Sequence, residues 1–199
     1  MGQARTDLER LVRIPSVAFP GFPLEPVRAA AAATCEILAA AGFPEPRLLD
    51  LPGGQPAVYA ALPPPPGAPT VLLYAHYDVQ PPGSGWASDP WQPVEREGRL
   101  YGRGAADDKS GIVIHTTAVR AFGGRPPVGV KVIIEGDEET GSGQLEAALP
   151  TLRSLLEADA IIVADSGNWK LGVPTLTTSL RGFVKATVSV RTLAQPVHS

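Results

Sequence analysis

The sequence predicts an α/β fold: a layered domain with a mostly parallel central sheet flanked by helices, followed by the beginning of a second, α+β domain. Three observations predict it. Apolar runs at 70–75, 128–135 and 160–164 have the near-continuous hydrophobicity of strands covered on both faces. Between them, 109–122 and a stretch around 144–156 carry apolar residues at helical spacing. Strands alternating with helices form layered domains with largely parallel pairing. After Asp165 the pattern changes, and 183–191 (Phe-Val-Lys-Ala-Thr-Val-Ser-Val-Arg) alternates with the period of a strand that has one face in water.

The elements follow in order. Leu8, Leu11 and Val12 share one helical face over 6–12, and Pro15 stops that helix. The second helix, 26–41, has proline near its first turn, alanines through its middle and Gly42 as its C-terminal stop. Short strands are expected at 47–51 and 57–62, and the proline run 63–66 makes a stiff connector. The segment 77–98 is rich in Pro, Gly, Ser and Trp; structureless loops of that length are uncommon and tend to be functional. A short strand is expected at 99–101. In the helix 109–122, Ile112, Val113 and Val119 face the core and Gly123-Gly124 ends it. A further strand is expected at 175–179, before the one at 183–191.

Bulk properties narrow the function. A chain of 199 residues holds one sizeable core and the start of a second domain. At 44% apolar and 19% charged residues it is globular. A net charge of −3 gives no basic footprint for nucleic acid. The single cysteine, Cys35, excludes an intrachain disulfide and a thiolate zinc cluster, and reads as a small buried helix residue. No apolar run approaches the ~20 residues of a membrane span, and the first residues lack a signal-peptide core, so a cytoplasmic location is expected.

Chemistry concentrates at the strand ends. His76, Asp107, the pair Glu138-Glu139 and Asp165 each lie at or just beyond the end of an expected element, and ligands of α/β proteins bind at the carboxyl ends of strands. His76 has Asp78 two residues on, an acceptor able to hold the ring nitrogen a metal does not use. Asp108 suits a helix N-cap, which leaves the adjacent Asp107 free for another role. Of the two glutamates, one can bind metal while the other acts as general base towards water. Asp137 and Asp159 read as solvated charges, and His115 as a surface or packing residue. One imidazole among carboxylates suits zinc, manganese or cobalt.

Two nucleotide motifs fail. The string Gly-Ala-Ala-Asp-Asp-Lys-Ser at 104–110 resembles a phosphate loop, but Asp108 replaces the glycine before the lysine and two negative charges stand where phosphates would lie. Gly102-x-Gly104 lacks the third glycine of a dinucleotide fingerprint.

Five strings resemble the co-catalytic di-zinc exopeptidase family that includes carnosinase-type dipeptidases, aminoacylase, succinyl-diaminopimelate desuccinylase and glutamate carboxypeptidase. They are His-Tyr-Asp-Val-Gln-Pro at 76–81, Trp-x-x-Asp-Pro-Trp at 86–91, Tyr-Gly-Arg-Gly-Ala-Ala-Asp-Asp-Lys at 101–109, Glu-Gly-Asp-Glu-Glu-Thr-Gly-Ser at 135–142, and Asp165. The resemblance implies that His76 and Asp165 bind one zinc, Asp107 bridges two and Glu139 binds the other. It implies that Glu138 activates a zinc-bridging water and that Asp78 orients His76. It also implies a cis peptide at Asp107-Asp108. The first and second strings are most similar to the dipeptidase branch, and aspartate at 165 goes in this family with aminopeptidases and dipeptidases. Dipeptides or short peptides are the implied substrates, with N-acyl or N-succinyl amino acids as the alternative. A homodimer is the implied assembly. The ending Val-His-Ser at 197–199 resembles a lid motif whose histidine, here His198, reaches the partner's active site and stabilises the oxyanion.

On this resemblance, 1–180 is the N-terminal part of the catalytic domain and 181–199 the start of the lid and dimerisation domain. The family's second zinc also takes a histidine from beyond the lid. The chain is therefore expected to be part of a longer enzyme, with its second metal site and the closing strands of its sheet incomplete and little or no activity alone. A catalytically silent role in dimerisation or binding is the remaining reading.

Overall fold

The computed structural model describes residues 2–184, 186–190 and 192. They divide into two compact units, one ending at Asp165 and one beginning at Ser166. The first unit contains helices α1 (Gly2–Val12), α2 (Glu25–Ala40), α3 (Lys109–Ala121) and α4 (Gly143–Leu156). Its strands are β1 (Arg47–Leu49), β2 (Ala57–Leu62), β3 (Thr70–His76), β4 (Val94–Arg96), β5 (Arg99–Tyr101), β6 (Gly129–Glu135) and β7 (Ala160–Val163).

Five strands form one sheet in the order β1-β2-β6-β3-β7. β3 lies parallel to both β6 and β7, so three neighbouring strands end at the same edge. β1 and β2 pair antiparallel to each other, and β2 pairs antiparallel to β6. The sheet is thus mixed where the sequence pattern gave mostly parallel. The reason is the short link between β1 and β2, residues 50–56, since a parallel connection needs a crossover of a dozen or more residues. β4 and β5 form a separate hairpin; β5 is the short strand expected at 99–101, whereas β4, three residues at the end of the Pro/Gly-rich segment, carries no periodic signal.

Alternation along the strands builds a core on each face. Val58, Ala60, Leu73, Ala75, Val132 and Ile134 pack with Leu11, Val27, Ile37, Leu38 and Ile112 of α1, α2 and α3. Ala57, Leu72 and Ile133, displaced by one residue, pack with Leu145 of α4. Cys35 is half-buried beside the first of these cores, and burial pushes its thiol up. β7 departs from expectation. Its Ala-Ile-Ile-Val composition reads as a buried strand, yet all four residues are exposed, because it pairs with β3 alone at the sheet edge.

Lys109 ties the start of α3 to the end of α1. It is 0% exposed, and its Nζ donates to the carbonyls of Leu11 (2.8 Å) and Ile14 (2.6 Å) at the end of α1. Carbonyls at a helix C-terminus lack intrahelical partners and favour a cation. Burial draws the amine down to about 7, against the opposing pull of Asp78.

In the second unit, Lys170 and Val173 make an isolated bridge, and Thr175 exchanges hydrogen bonds with Trp169 and Asn168. No strand forms at 175–179 or among the described residues of 183–191. Among the described residues no helix is long and apolar enough to cross a membrane.

The two sheet positions predict different sensitivities. Ile134→Ala, at a site that is 0% exposed, should lower the unfolding free energy by about 2–5 kcal/mol. Ile162→Ala, at a site 47% exposed, should change it by no more than about 1 kcal/mol. Urea unfolding of both variants checks the pair, and equal losses would contradict the edge position of β7.

Candidate metal centre

β3, β6 and β7 deliver their carboxyl ends side by side, and the acidic residues collect there. His76 is the last residue of β3 and is 0% exposed. Its Nδ1 lies 3.3 Å from Asp78 Oδ1 and 3.0 Å from the Asp78 carbonyl. With Nδ1 turned to these acceptors, Nε2 faces the open edge of the sheet. There Asp107 Oδ1 stands 3.1 Å away, Glu138 Oε2 3.8 Å and Asp165 Oδ2 3.9 Å. One ligand atom from each of His76, Asp107 and Asp165 falls within 4.8 Å of the others, the spacing of groups that could hold one metal ion.

Each group is mounted on its own element. Asp107 precedes α3 through a cis peptide to Asp108. Asp108 caps α3, its Oδ1 accepting from Gly111 N (3.2 Å), while its Oδ2 accepts from His76 N (3.2 Å). It therefore ties α3 to the end of β3, which the N-cap reading alone does not foresee. Glu138 and Glu139 open a 3-10 turn, Glu138–Thr140, after β6. Asp78 is 0% exposed and accepts from both backbone N–H groups of that pair, Oδ1 from Glu138 (3.2 Å) and Oδ2 from Glu139 (3.1 Å). Asp165 follows β7 by two residues.

The electrostatics favour a cation. Burial draws the His76 imidazole down, but Asp78 first, then Asp108 and Glu138, hold it up at about 10. Burial pushes Asp108 up to about 8 despite the opposing pull of His76. Burial also raises Glu138 and Asp165, and nearby carboxylates raise them further, Asp165 among those acting on Glu138 and Asp107 on Asp165. The carboxylates of Asp107, Glu138 and Asp165, all within 4 Å of Nε2, would attract a divalent cation to that atom. The donor set, one imidazole with its second nitrogen held and two carboxylates facing it, fits zinc, manganese or cobalt.

Glu139 falls outside this group. Both its oxygens are engaged by Gln80, whose backbone N–H donates to Oε1 (3.1 Å) and whose side-chain Nε2 donates to Oε2 (2.6 Å). Gln80 was missed in the sequence because a neutral amide carries no metal-ligand signal; its period-two spacing after His76 and Asp78 was the available clue. Asp137 is half-buried rather than solvated, its Oδ2 accepting from Gln55 N (2.5 Å), while Asp159 accepts from Thr70 N. His115 packs inside, 3% exposed, with Nε2 2.9 Å from the Tyr74 carbonyl. His198 lies outside the described residues.

A mixed α/β sheet carrying this imidazole-carboxylate cluster at its parallel edge has the build of a divalent-metal site. Residues 72–198 match the model of Peptidase family M20/M25/M40, and the chain belongs to that family. The cysteinylglycine-S-conjugate dipeptidase of Corynebacterium striatum is 46% identical over 140 residues, which are 66% of this chain and 30% of that protein. The crystal structure of human carnosine dipeptidase 1 superposes with a TM-score of 0.74 at 30% identity, covering 83% of this chain and 38% of that one. An M20 family metallo-carboxypeptidase from Sulfolobus solfataricus gives a TM-score of 0.74 at 31% identity, covering 84% and 38%. The chain thus spans about a third of the length of these relatives.

Two predictions come from the site's supports. A Cβ on Gly136 would fall inside the Tyr77 ring and hydroxyl, and the Tyr77 hydroxyl donates to the Pro56 carbonyl. Gly136→Ala should cost about 1–3 kcal/mol by overpacking, read by urea unfolding; an unchanged midpoint would contradict the close approach. Burial holds His115 below its ordinary 6.5, so the folded state binds its proton later than the unfolded chain. Its contribution is complete above about pH 6.5 and is lost as pH falls below that value. His115→Gln, which retains a donor for the Tyr74 carbonyl, should show a shallower loss of unfolding free energy between neutral pH and about pH 5.

Proposed function

We propose that this chain carries the metal-binding part of a dipeptidase, which hydrolyses the peptide bond of dipeptides or short peptides with free amino termini. The observation that carries the reading is the convergence of Asp107, Asp165 and Glu138 on Nε2 of a fully buried His76. Two relatives lend support, one named for a cysteinylglycine S-conjugate and one for carnosine, both dipeptide substrates.

In this reading the site would hold two divalent ions, zinc by preference. His76 and Asp165 would hold one, Glu139 the other, and Asp107 would serve both. When bound, such a pair polarises a carbonyl and makes water nucleophilic at neutral pH. The chain's own residues do the rest. Asp78 keeps the Nδ1 proton of His76 and thereby presents Nε2 as the ligand atom. Glu138, at the open edge, takes a proton on its carboxylate from the attacking water. It then gives that proton to the amide nitrogen as the C–N bond breaks, which leaves a carboxylic acid and a free amine. Asp108 and Asp78 hold the backbone on either side, so the carboxylates meet without rearrangement of the turn.

The test uses Glu138→Gln. In the 199-residue chain this variant should take up zinc with wild-type affinity, measured by calorimetry. In a protein carrying this chain at the length of its relatives, it should lower kcat on cysteinylglycine or β-alanylhistidine by roughly 10²–10⁴-fold. Retained turnover would sink the general-base role. Faster hydrolysis of N-acetyl or N-succinyl amino acids than of free dipeptides would replace the dipeptidase reading with that of a deacylase.

A further inference from the structure

His76, Asp78 and Gln80 follow one another with the period of two that brings side chains to one side of an extended segment. The first two already have places in the site. Gln80 grips both oxygens of Glu139 from a single residue, at 3.1 Å through its backbone N–H and 2.6 Å through Nε2.

We propose that Gln80 is a positioning residue for the metal centre, a two-point clamp that orients the Glu139 carboxylate for its cation. The proposal rests on the metal role given above to Glu139. A carboxylate offers about four lone-pair sites, so one hydrogen bond to each oxygen leaves both oxygens able to meet a cation. The clamp is neutral, and this matters. A lysine at position 80 would cancel the charge that attracts the ion, and a glutamate would repel Glu139. An amide fixes the direction of the carboxylate and leaves its charge intact.

Both ends of the clamp are mounted rigidly. Before Gln80, Val79 is 0% exposed and its N–H donates to the Ser16 carbonyl (3.0 Å), while Ser16 Oγ donates to the Tyr77 carbonyl (2.6 Å). After it come Pro81 and Pro82, and the Arg103 guanidinium donates to the Pro81 carbonyl (3.2 Å) and stacks over Trp86 at 5.5 Å. On the other side, the Glu139 backbone N–H is held by Asp78 Oδ2 (3.1 Å). The glutamate is therefore fixed at its root by Asp78 and at its tip by Gln80. The Gln80 backbone N–H alone would fasten the loop to the turn through Oε1; the side-chain amide adds the second point, on Oε2, and so fixes the plane of the carboxylate.

Two measurements decide the proposal, the first on the 199-residue chain and the second on a protein carrying this chain at the length of its relatives. The first uses the metal-free protein: the side-chain amide resonances of Gln80, assigned by loss in Gln80→Met, should shift in Glu139→Ala. The second follows the visible spectrum of bound cobalt during titration. Glu139→Ala should remove the part of the spectrum that depends on that residue. Gln80→Met, which keeps the length of the side chain and removes its amide donor but not the backbone N–H, should raise the cobalt concentration needed for that part by roughly 10–100-fold while far-UV circular dichroism stays unchanged. Amide resonances indifferent to Glu139→Ala would overturn the clamp. So would cobalt binding in Gln80→Met equal to wild type where Glu139→Ala reduces it. Cobalt binding unaffected by Glu139→Ala would strike the metal role of Glu139 itself and take the positioning role down with it, and in that case the resonance shift would report only a structural contact.

Discussion

One buried carboxylate, Asp78, joins the ends of two strands and sets the tautomer of the histidine between them. Its oxygens accept from the backbone N–H groups of Glu138 and Glu139, and Oδ1 also faces Nδ1 of His76 at 3.3 Å. A charge that is 0% exposed is costly unless it is hydrogen-bonded and paired, and Asp78 is both. The position of the Glu138–Thr140 turn relative to β3 therefore follows from the requirement to satisfy that charge. So does the direction of Nε2, towards Asp107, Glu138 and Asp165. The parallel pairing of β3 with β6 and β7 makes this possible, because it places three strand ends at one edge.

The sheet supplies the second level of order. Residues one position apart on β2, β3 and β6 enter separate cores, so neither face of the central strands is free to slip. Lys109 then fixes the start of α3 to α1 through the backbone carbonyls of Leu11, in its last turn, and Ile14, just beyond it. Asp107, Asp108 and Lys109 thus point three ways from one short stretch: to the cluster, to the end of β3 and to α1. Their order in the chain is a local solution to three separate bonding demands.

Much of this was legible in the sequence because the signals were periodic or charged. The strand Thr70–His76 and the helices on either side of the sheet carry apolar spacing that few other structures produce. His76, Asp107 and Asp165 stand out by residue type at strand ends and meet in space. What stayed hidden depends on neutral groups or on neighbours distant in sequence. Gln80 has no charge to flag it, strand β4 is too short to show a period, and the bond from Asp108 to His76 N spans 32 residues. The exposure of β7 was hidden too, since Ile-Ile-Val reads the same at a covered or an open edge. The antiparallel β1-β2 pair follows from link length, which the apolar pattern does not weigh.

If His76, Asp107 and Asp165 together hold one divalent cation, crystals of the chain grown with zinc and measured on either side of the zinc absorption edge will show it. The expected anomalous peak lies about 2.0–2.2 Å from His76 Nε2 and from carboxylate oxygens of Asp107 and Asp165. A structure at saturating zinc with no peak there, or with zinc bound only at other residues, would contradict it.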